Sequence, residues 1–513
     1  MNHRAHSTEL PTLARSGFRS SYSRLHGKFR QIPQSVLIVI VLVVLGLLVV
    51  TADFVFIWQA TSGTEGQDHV AIFQENNRNP LGQKFDRIPL VDNPVISSRN
   101  MKHMEKQLVY TLHRIAQNTS EKRGIVLPMF DKIATWGVSQ IMQLRAMNVA
   151  LPVEVPHCGD WNVLRQRAVL EKEDLGIIRF YDVCLLAFET TSLLDSSRKV
   201  FCLNMKSCQK KYRSFNIKVL AVVFSQFEEI MLLDADTLLF ESPMMLWETE
   251  KYCTTGTLFF HDRLSQENQY LGKRIGKNAH VSRLNRYISQ FDVAYFAPLR
   301  NIERPKATSK NKIPVSLNNY SPSEHLLTSH SWNQRAGHEM DSSLVLWNKK
   351  RQPRATAILA AFMAGNGIRG PPSYGDKELF FIAAELAETQ YAFSDFGVGS
   401  FGWDFRDNGP GKSVLCGCAM HYYPVKSMNT SDLVNTSLLY VNCEDPFVED
   451  GFTKKPIYYT QARLYEVYAG SFKKHKLSQE CPFDITGVRL TSAQEDLILM
   501  RQRFIKIAKA IMG

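Results

Sequence analysis

Two carboxylates one residue apart, Asp234 and Asp236, follow the apolar run Ile230-Met-Leu-Leu233 and precede a second, Thr237-Leu-Leu-Phe240. On an extended chain, residues i and i+2 face the same side, so both carboxylates are expected to point one way at the end of a buried strand. Such a pair repels itself unless a cation lies between its members. Hard divalent ions, Mg²⁺ or Mn²⁺, take oxygen ligands and bridge to substrate phosphates. Asp-x-Asp is common in solvated turns, but apolar residues on both sides argue against a surface turn here. In open α/β sheets, ligands bind beyond the carboxyl ends of strands, where these aspartates are expected to stand. The leading reading is metal-assisted transfer from a phosphate-bearing donor, a nucleotide sugar.

Other residue types extend that chemistry. Gly375-Asp-Lys-Glu378 opens a helix expected over Asp376 to Gln390, with Asp376 as its cap. Asp376 is also a candidate to orient an acceptor hydroxyl, and the two roles are compatible. Asp262 and Asp341 are candidates for contacts to donor-sugar or acceptor hydroxyls. Trp403, in a glycine-rich stretch, is the candidate stacking platform, whereas Trp247 and Trp347 read as core.

The elements that must hold these groups alternate in type. Gly124–Pro128, Leu151–Val155, Lys218–Phe224, Ile230–Leu233, Thr257–Phe260 and Ser343–Trp347 read as strands, the third as a continuous apolar run covered on both faces. Helices are expected at Met104–Asn118, Trp136–Met147, Leu164–Lys172 and from Pro243, with Ser242 as N-cap. A capping box at Ser492–Glu495 starts a last amphipathic helix. Residues 262–340 are polar and read as loops around an acceptor. Alternating β and α elements predict one α/β domain over 120–513.

Composition sets the location. The chain has 513 residues and a net charge of +12. Residues 1–34 hold six cations against Glu9 and read as a cytosolic tail. Residues 35–58 are apolar enough to span a bilayer of about 30 Å, and the basic tail before them places the remainder across the membrane. Residues 59–119 read as a stem. Sequons at Asn118, Asn319, Asn429 and Asn435, with nine cysteines all beyond the apolar segment, suit an oxidising lumen. Four disulfides and one thiol are expected, and Cys202 and Cys208 are placed to close a short loop. No basic stripe interleaved with aromatics is present, which argues against nucleic-acid binding.

The run from Lys218 to Pro243, containing Leu-Asp-Ala-Asp, resembles the core of the fungal Golgi α-mannosyltransferases of the MNN type. Gly256-Thr-Leu-Phe-Phe-His-Asp262, Asp341–Lys349, Tyr374–Phe381 and Leu151-Pro-Val-Glu154 resemble further blocks of that family. The resemblance implies a GT-A, Rossmann-like fold, GDP-mannose as donor, Mn²⁺ or another divalent metal, and a single-pass type II Golgi membrane enzyme. The acceptor would be a mannosylated glycoprotein or oligosaccharide, and the reaction retaining. Asp234 and Asp236 match the family's metal and donor-diphosphate motif, within a block that opens on Lys218. Glycogenin-like enzymes place a late His on the metal with a nearby Lys on the diphosphate, which here implies His421 and Lys426. Asp341-Ser-Ser343 stands where many relatives have Glu-Ser-Gly, and in this it resembles the α-1,3 rather than the α-1,2 branch. A UDP-sugar transferase of GT-A type, and a non-catalytic glycan-binding subunit of a Golgi complex, remain the alternatives. A metal-dependent hydrolase is disfavoured by the lack of a His-rich pattern.

Overall fold

The apolar residues ahead of the aspartates form the strand expected of them, Phe227–Leu233, at the centre of a six-stranded sheet. The computed structural model describes residues 106–513 apart from 214, 265–268, 277–280, 292–295, 297–303, 309–316, 318–319, 366–369, 425–435, 448–454, 467–480 and 483. All of them belong to one compact unit, Asn77–Gly513. The tail, the apolar segment 35–58, the stem up to residue 105, Lys426, and the sequons at Asn319, Asn429 and Asn435 lie outside the described residues. Among the described residues no helix is long and apolar enough to cross a membrane.

The strands are β1 (Glu121–Val126), β2 (Val153–His157), β3 (Ile178–Asp182), β4 (Phe227–Leu233), β5 (Thr237–Leu239), β6 (Thr257–His261), β7 (Met340–Asn348), β8 (Gly399–Arg406), β9 (Val414–Tyr422), β10 (Leu438–Asn442), β11 (Tyr458–Thr460) and β12 (Gly487–Arg489). The longer helices are α1 (Lys106–Gln117), α2 (Ala134–Ala146), α3 (Val163–Leu170), α4 (Met205–Tyr212), α5 (Ile217–Phe224), α6 (Pro353–Met363), α7 (Leu379–Leu386) and α8 (Ser492–Met512). The first sheet has the order β3-β2-β1-β4-β7-β6. Its first four strands are parallel, and β7 runs antiparallel to both β4 and β6. The chain builds outward from β1 through β2 to β3, then returns to place β4 on the other side of β1. That reversal makes a switch point at the carboxyl ends of β1 and β4, where a crevice opens. The α/β expectation holds.

A second, antiparallel sheet has the order β12-β11-β8-β9-β10-β5. Strand β5 begins directly after Asp236, so the two aspartates occupy the link between the sheets. The last helix, α8, joins their cores. Its Ile498 and Ile505 pack under the second sheet and its Ala508 under the first.

Several local expectations need correction. Residues Lys218–Phe224 are not a strand but most of helix α5. A short, wholly apolar run has no period to separate a buried strand from a buried helix. Here burial of Val219 to Phe224 is complete enough to accept either. The helix expected from Asp376 to Gln390 is α7, which begins at Leu379 behind Glu378, so Asp376 caps nothing. Pro243 does stand at a first helical position, but the turn Pro243–Glu248 is 3₁₀. The box starting α8 pairs Thr491 with Gln494, one residue earlier than expected. Helix α1 buries Leu112, Ile115 and Ala116, so the folded unit is under way by Lys106 rather than at residue 120. Four disulfides form, Cys158–Cys184, Cys202–Cys208, Cys416–Cys481 and Cys418–Cys443, leaving Cys253 free and exposed.

Candidate active site

Beyond the ends of β1 and β4 lies a cavity of about 590 Å³. Met129, Phe130, Ile133 and Trp136 give it an apolar side, and Lys218, Asp234 and Asp236 a charged one. Ala235, between the aspartates, is buried, so the alternation expected from their spacing holds although they sit in a turn. Lys218, in the first turn of α5, donates to Asp234 Oδ2 at 2.7 Å and to Ser342 Oγ at 3.4 Å. Its Nζ also lies 3.5 Å from Asp376 Oδ2. Freed from capping, the Asp376 carboxylate is 1 % exposed, and its Oδ2 has no hydrogen-bond partner.

A second group stands on the neighbouring strands. Asp341, at the start of β7, lies 3.0 Å from His421 Nε2, at the end of β9. Asp341 Oδ1 also accepts the Ser343 N–H at 2.9 Å, and the Ser343 hydroxyl donates to Tyr440 at 3.2 Å. The Ser343 carbonyl accepts the Asp234 N–H at 2.9 Å, which ties this group to the first. Asp262 is paired with Lys377.

Negative charge exceeds positive around the cavity. Burial pushes the Asp234 carboxyl up to about 8, and Asp236 and Asp376 add to this against the opposing Lys218. Asp236 is raised too, by burial first, against Lys218. Burial pulls Lys218 down, but Asp234 and Asp376 outweigh it and hold the ammonium above its usual value. For Asp341 burial acts upward, yet His421, Lys377 and the Ser343 amide hold it well below the carboxylate range. Asp234 and Asp236 thus offer carboxylate oxygens to one cavity, the donor type a hard divalent cation takes.

Of the residues singled out in the sequence, Lys218, Asp234, Asp236 and Asp376 converge. Asp341 and His421 pair with each other, and Asp262 stands with Lys377. Asp234, Asp236 and His421 do not bring three ligand atoms within 4.8 Å of one another. Among the described residues, the triads that do so, Cys158/Asp182/Cys184 and Cys418/Cys443/Asp445, use cysteines already in disulfides. Trp403 lies on β8 and does not line the cavity, whereas Trp247 and Trp347 are core as expected.

Sequence reasoning missed Arg501. This wholly buried side chain on α8 donates to Ala235 O and to Trp136 O, each at 2.9 Å, and to Gln143 Oε1 at 3.1 Å. Gln143 in turn bonds both the N–H and the carbonyl of Leu239. Together they clamp the aspartate link on both sides. An arginine in an amphipathic helix gives no sign of facing inward, except that it falls on the Ile498/Ile505 face.

Paired aspartates at the switch point of an α/β sheet stand where such folds bind their ligands. The chain belongs to the family described as "Mannosyltransferase putative", which matches residues 122–423. It is 27% identical over 54% of its length to the Candida albicans protein named "Putative alpha-1,3-mannosyltransferase MNN1", of which it covers 33%. To the "Putative alpha-1,3-mannosyltransferase MNN14" of the same organism it is 23% identical over 56% of its length, covering 36% of that protein. The chain thus spans about a third of the length of these curated relatives. Among solved structures it is similar to the apo bifunctional glycosyltransferase WbbM, with 10% identity, a TM-score of 0.28, and coverage of 53% of this chain and 38% of that one.

Proposed function

We propose that this protein is a Golgi mannosyltransferase of GT-A architecture, held by a single type II membrane segment, that moves mannose from GDP-mannose to a terminal mannose of a glycoprotein or oligosaccharide. The bond formed is α-1,3, made with retention and with Mn²⁺ or a similar ion. One observation carries the reading: Asp234 and Asp236 stand in the wall of a large cavity at the switch point of the sheet. Family membership and the names of the relatives support mannose and the linkage. The basic tail, the apolar segment, the sequons and the disulfides support the lumenal location.

Asp234 and Asp236 would hold the ion, which when bound neutralises charge gathering on the departing diphosphate. His421 enters this reading as the partner that fixes Asp341. Lys218, placed between Asp234 and Asp376, gives the diphosphate a fixed positive charge that moves little during reaction. The apolar side of the cavity takes the purine and keeps water from it. Asp376, whose Oδ2 faces Lys218 at 3.5 Å and accepts no hydrogen bond, orients the acceptor hydroxyl. The bond from the anomeric carbon to the β-phosphate oxygen breaks, its electron pair leaves with GDP, and the acceptor oxygen takes its place while its proton passes to that departing phosphate oxygen. Incubating the full chain in detergent with Mn²⁺ and a panel of nucleotide sugars tests the donor, and linkage analysis of the product tests the bond. Turnover of UDP-sugars but not GDP-mannose would sink the donor assignment.

A further inference from the structure

Two aromatic side chains beside the charged wall are left in solvent. Phe215 and Tyr374 are 50% and 49% exposed, and their rings lie 5.7 Å apart between centroids. Exposed aromatics scattered singly need no explanation, but these are paired and braced. Tyr270 packs edge-on to Tyr374 at 5.5 Å. His338 rests on Tyr270 at 4.5 Å and is held by Glu378 at 3.1 Å. The backbone fixes the pair from below. Gly375 has φ 65°, and a Cβ there would stand 2.9 Å from Phe215 Cβ, so the turn lies flat against the Phe215 side chain.

The position matters as much as the exposure. Phe215 lines the cavity that contains Asp234 and Asp236, and Tyr374 stands two residues before Asp376. Asp376 is buried, and its Oδ2 accepts no hydrogen bond but faces the Lys218 ammonium at 3.5 Å. Lys377 and Asp262 extend the polar border. A ligand for this place needs an apolar face for the rings and polar groups for the charged residues around them. A hexopyranose has both. Its ring C–H bonds carry partial positive charge that meets the negative face of an aromatic ring, and its hydroxyls leave from the edge.

We propose that Phe215 and Tyr374 form the platform on which the acceptor sugar stacks, next to the turn that carries Asp376. This deepens, and rests on, the reading of the site as a glycosyl transferase. It also replaces Trp403, which stands away from the cavity, as the stacking residue.

Ligand-observed saturation-transfer NMR with α-mannobiose on the full chain in detergent reads the platform without turnover. Wild type should give a signal that Tyr374→Ala and Phe215→Ala both abolish and that Phe215→Tyr and Tyr374→Phe retain. In transfer assays with the same probe, each alanine variant should raise the acceptor KM about tenfold, the scale of one aromatic contact, with a smaller change in GDP affinity by calorimetry. Unchanged mannobiose signals in both alanine variants would overturn the platform. So would losses of GDP affinity as large as those for acceptor, which would place the rings on the donor. If wild type turned over no GDP-mannose yet its mannobiose signal depended on these rings, the donor reading would fail and the platform would stand.

Discussion

Strand β7 has Asp341 near one end and Lys349 just past the other, and the two ends of the sheet treat buried charge in opposite ways. At the amino end of the parallel strands, Lys349 Nζ donates to three carbonyls, Asn118 at 3.1 Å, Val223 at 3.0 Å and Ser225 at 2.8 Å. An ammonium has three protons, so its capacity is used. Nearby Glu154 accepts the Gln226 N–H at 3.0 Å. Burial lifts Glu154 to about 7 and lowers Lys349 to about 7, so the pair carries little net charge into the core. At the carboxyl end, Lys218 faces Asp234, Asp236 and Asp376 together, and Asp376 Oδ2 meets its ammonium at 3.5 Å without accepting a hydrogen bond. A completed set of partners is what a fold needs. An incomplete one is what a ligand needs.

The largest effects should separate these ends cleanly. Asp236→Ala is expected to lower transfer at least about a thousandfold, the scale of losing charge stabilisation at a leaving group, with circular dichroism unchanged. Retained transfer would mean that the surplus of acid has no chemical role. Lys349→Met should do the reverse, costing about 3 kcal/mol in urea unfolding by stranding three buried carbonyls, while kcat per folded molecule survives. Were Lys349→Met to abolish transfer without loss of stability, the division between the ends would collapse.

Arg501 links the comparison to the far end of the chain. Arg501→Lys keeps the charge but has one nitrogen where the guanidinium uses two, Nη2 on Ala235 O and Trp136 O and Nη1 on Gln143 Oε1. GDP affinity by calorimetry should fall about tenfold, with a loss of stability near 1 kcal/mol. Equal affinity would show that the aspartate link holds its shape unaided.

How much of this was legible in the sequence follows from what each signal depends on. The aspartates, strand β4 and the spare cysteine depend on local composition, and all were readable. Helix α5 was not, because Lys218 to Phe224 lacks any polar residue after its first to set a period, and only its packing decides. The cap expected at Asp376 came from an N-cap pattern that the chain does not use, since the helix begins only at Leu379. Arg501 meets Ala235 across 266 residues, a pairing that no local pattern encodes. The Phe215–Tyr374 platform is likewise a product of two distant turns, and Trp403 was the better candidate only while its strand was unknown.

The smallest expected effect tests the surplus charge itself. Folding raises Asp234 from its ordinary 3.8 to about 8, so the folded state binds that proton more tightly than the unfolded chain. Stability from this group is therefore full at low pH and is lost as pH rises from about 4 towards 8, the reverse of a salt-bridged carboxylate. A side-chain amide cannot ionise, so Asp234→Asn should leave the metal-free protein more heat-stable than wild type by a few degrees at pH 8, and by less at pH 6. Glu154 and Lys349 also titrate near neutrality, with opposite slopes, but they do so in both proteins. The difference in Tm between variant and wild type, each in EDTA, therefore reads Asp234 together with the groups coupled to it, Lys218, Asp236 and Asp376. Added Mn²⁺ should close the gap from the wild-type side only. A gap that stays constant with pH would show that Asp234 ionises like any surface carboxylate, and the two ends of the sheet would then differ in geometry but not in charge.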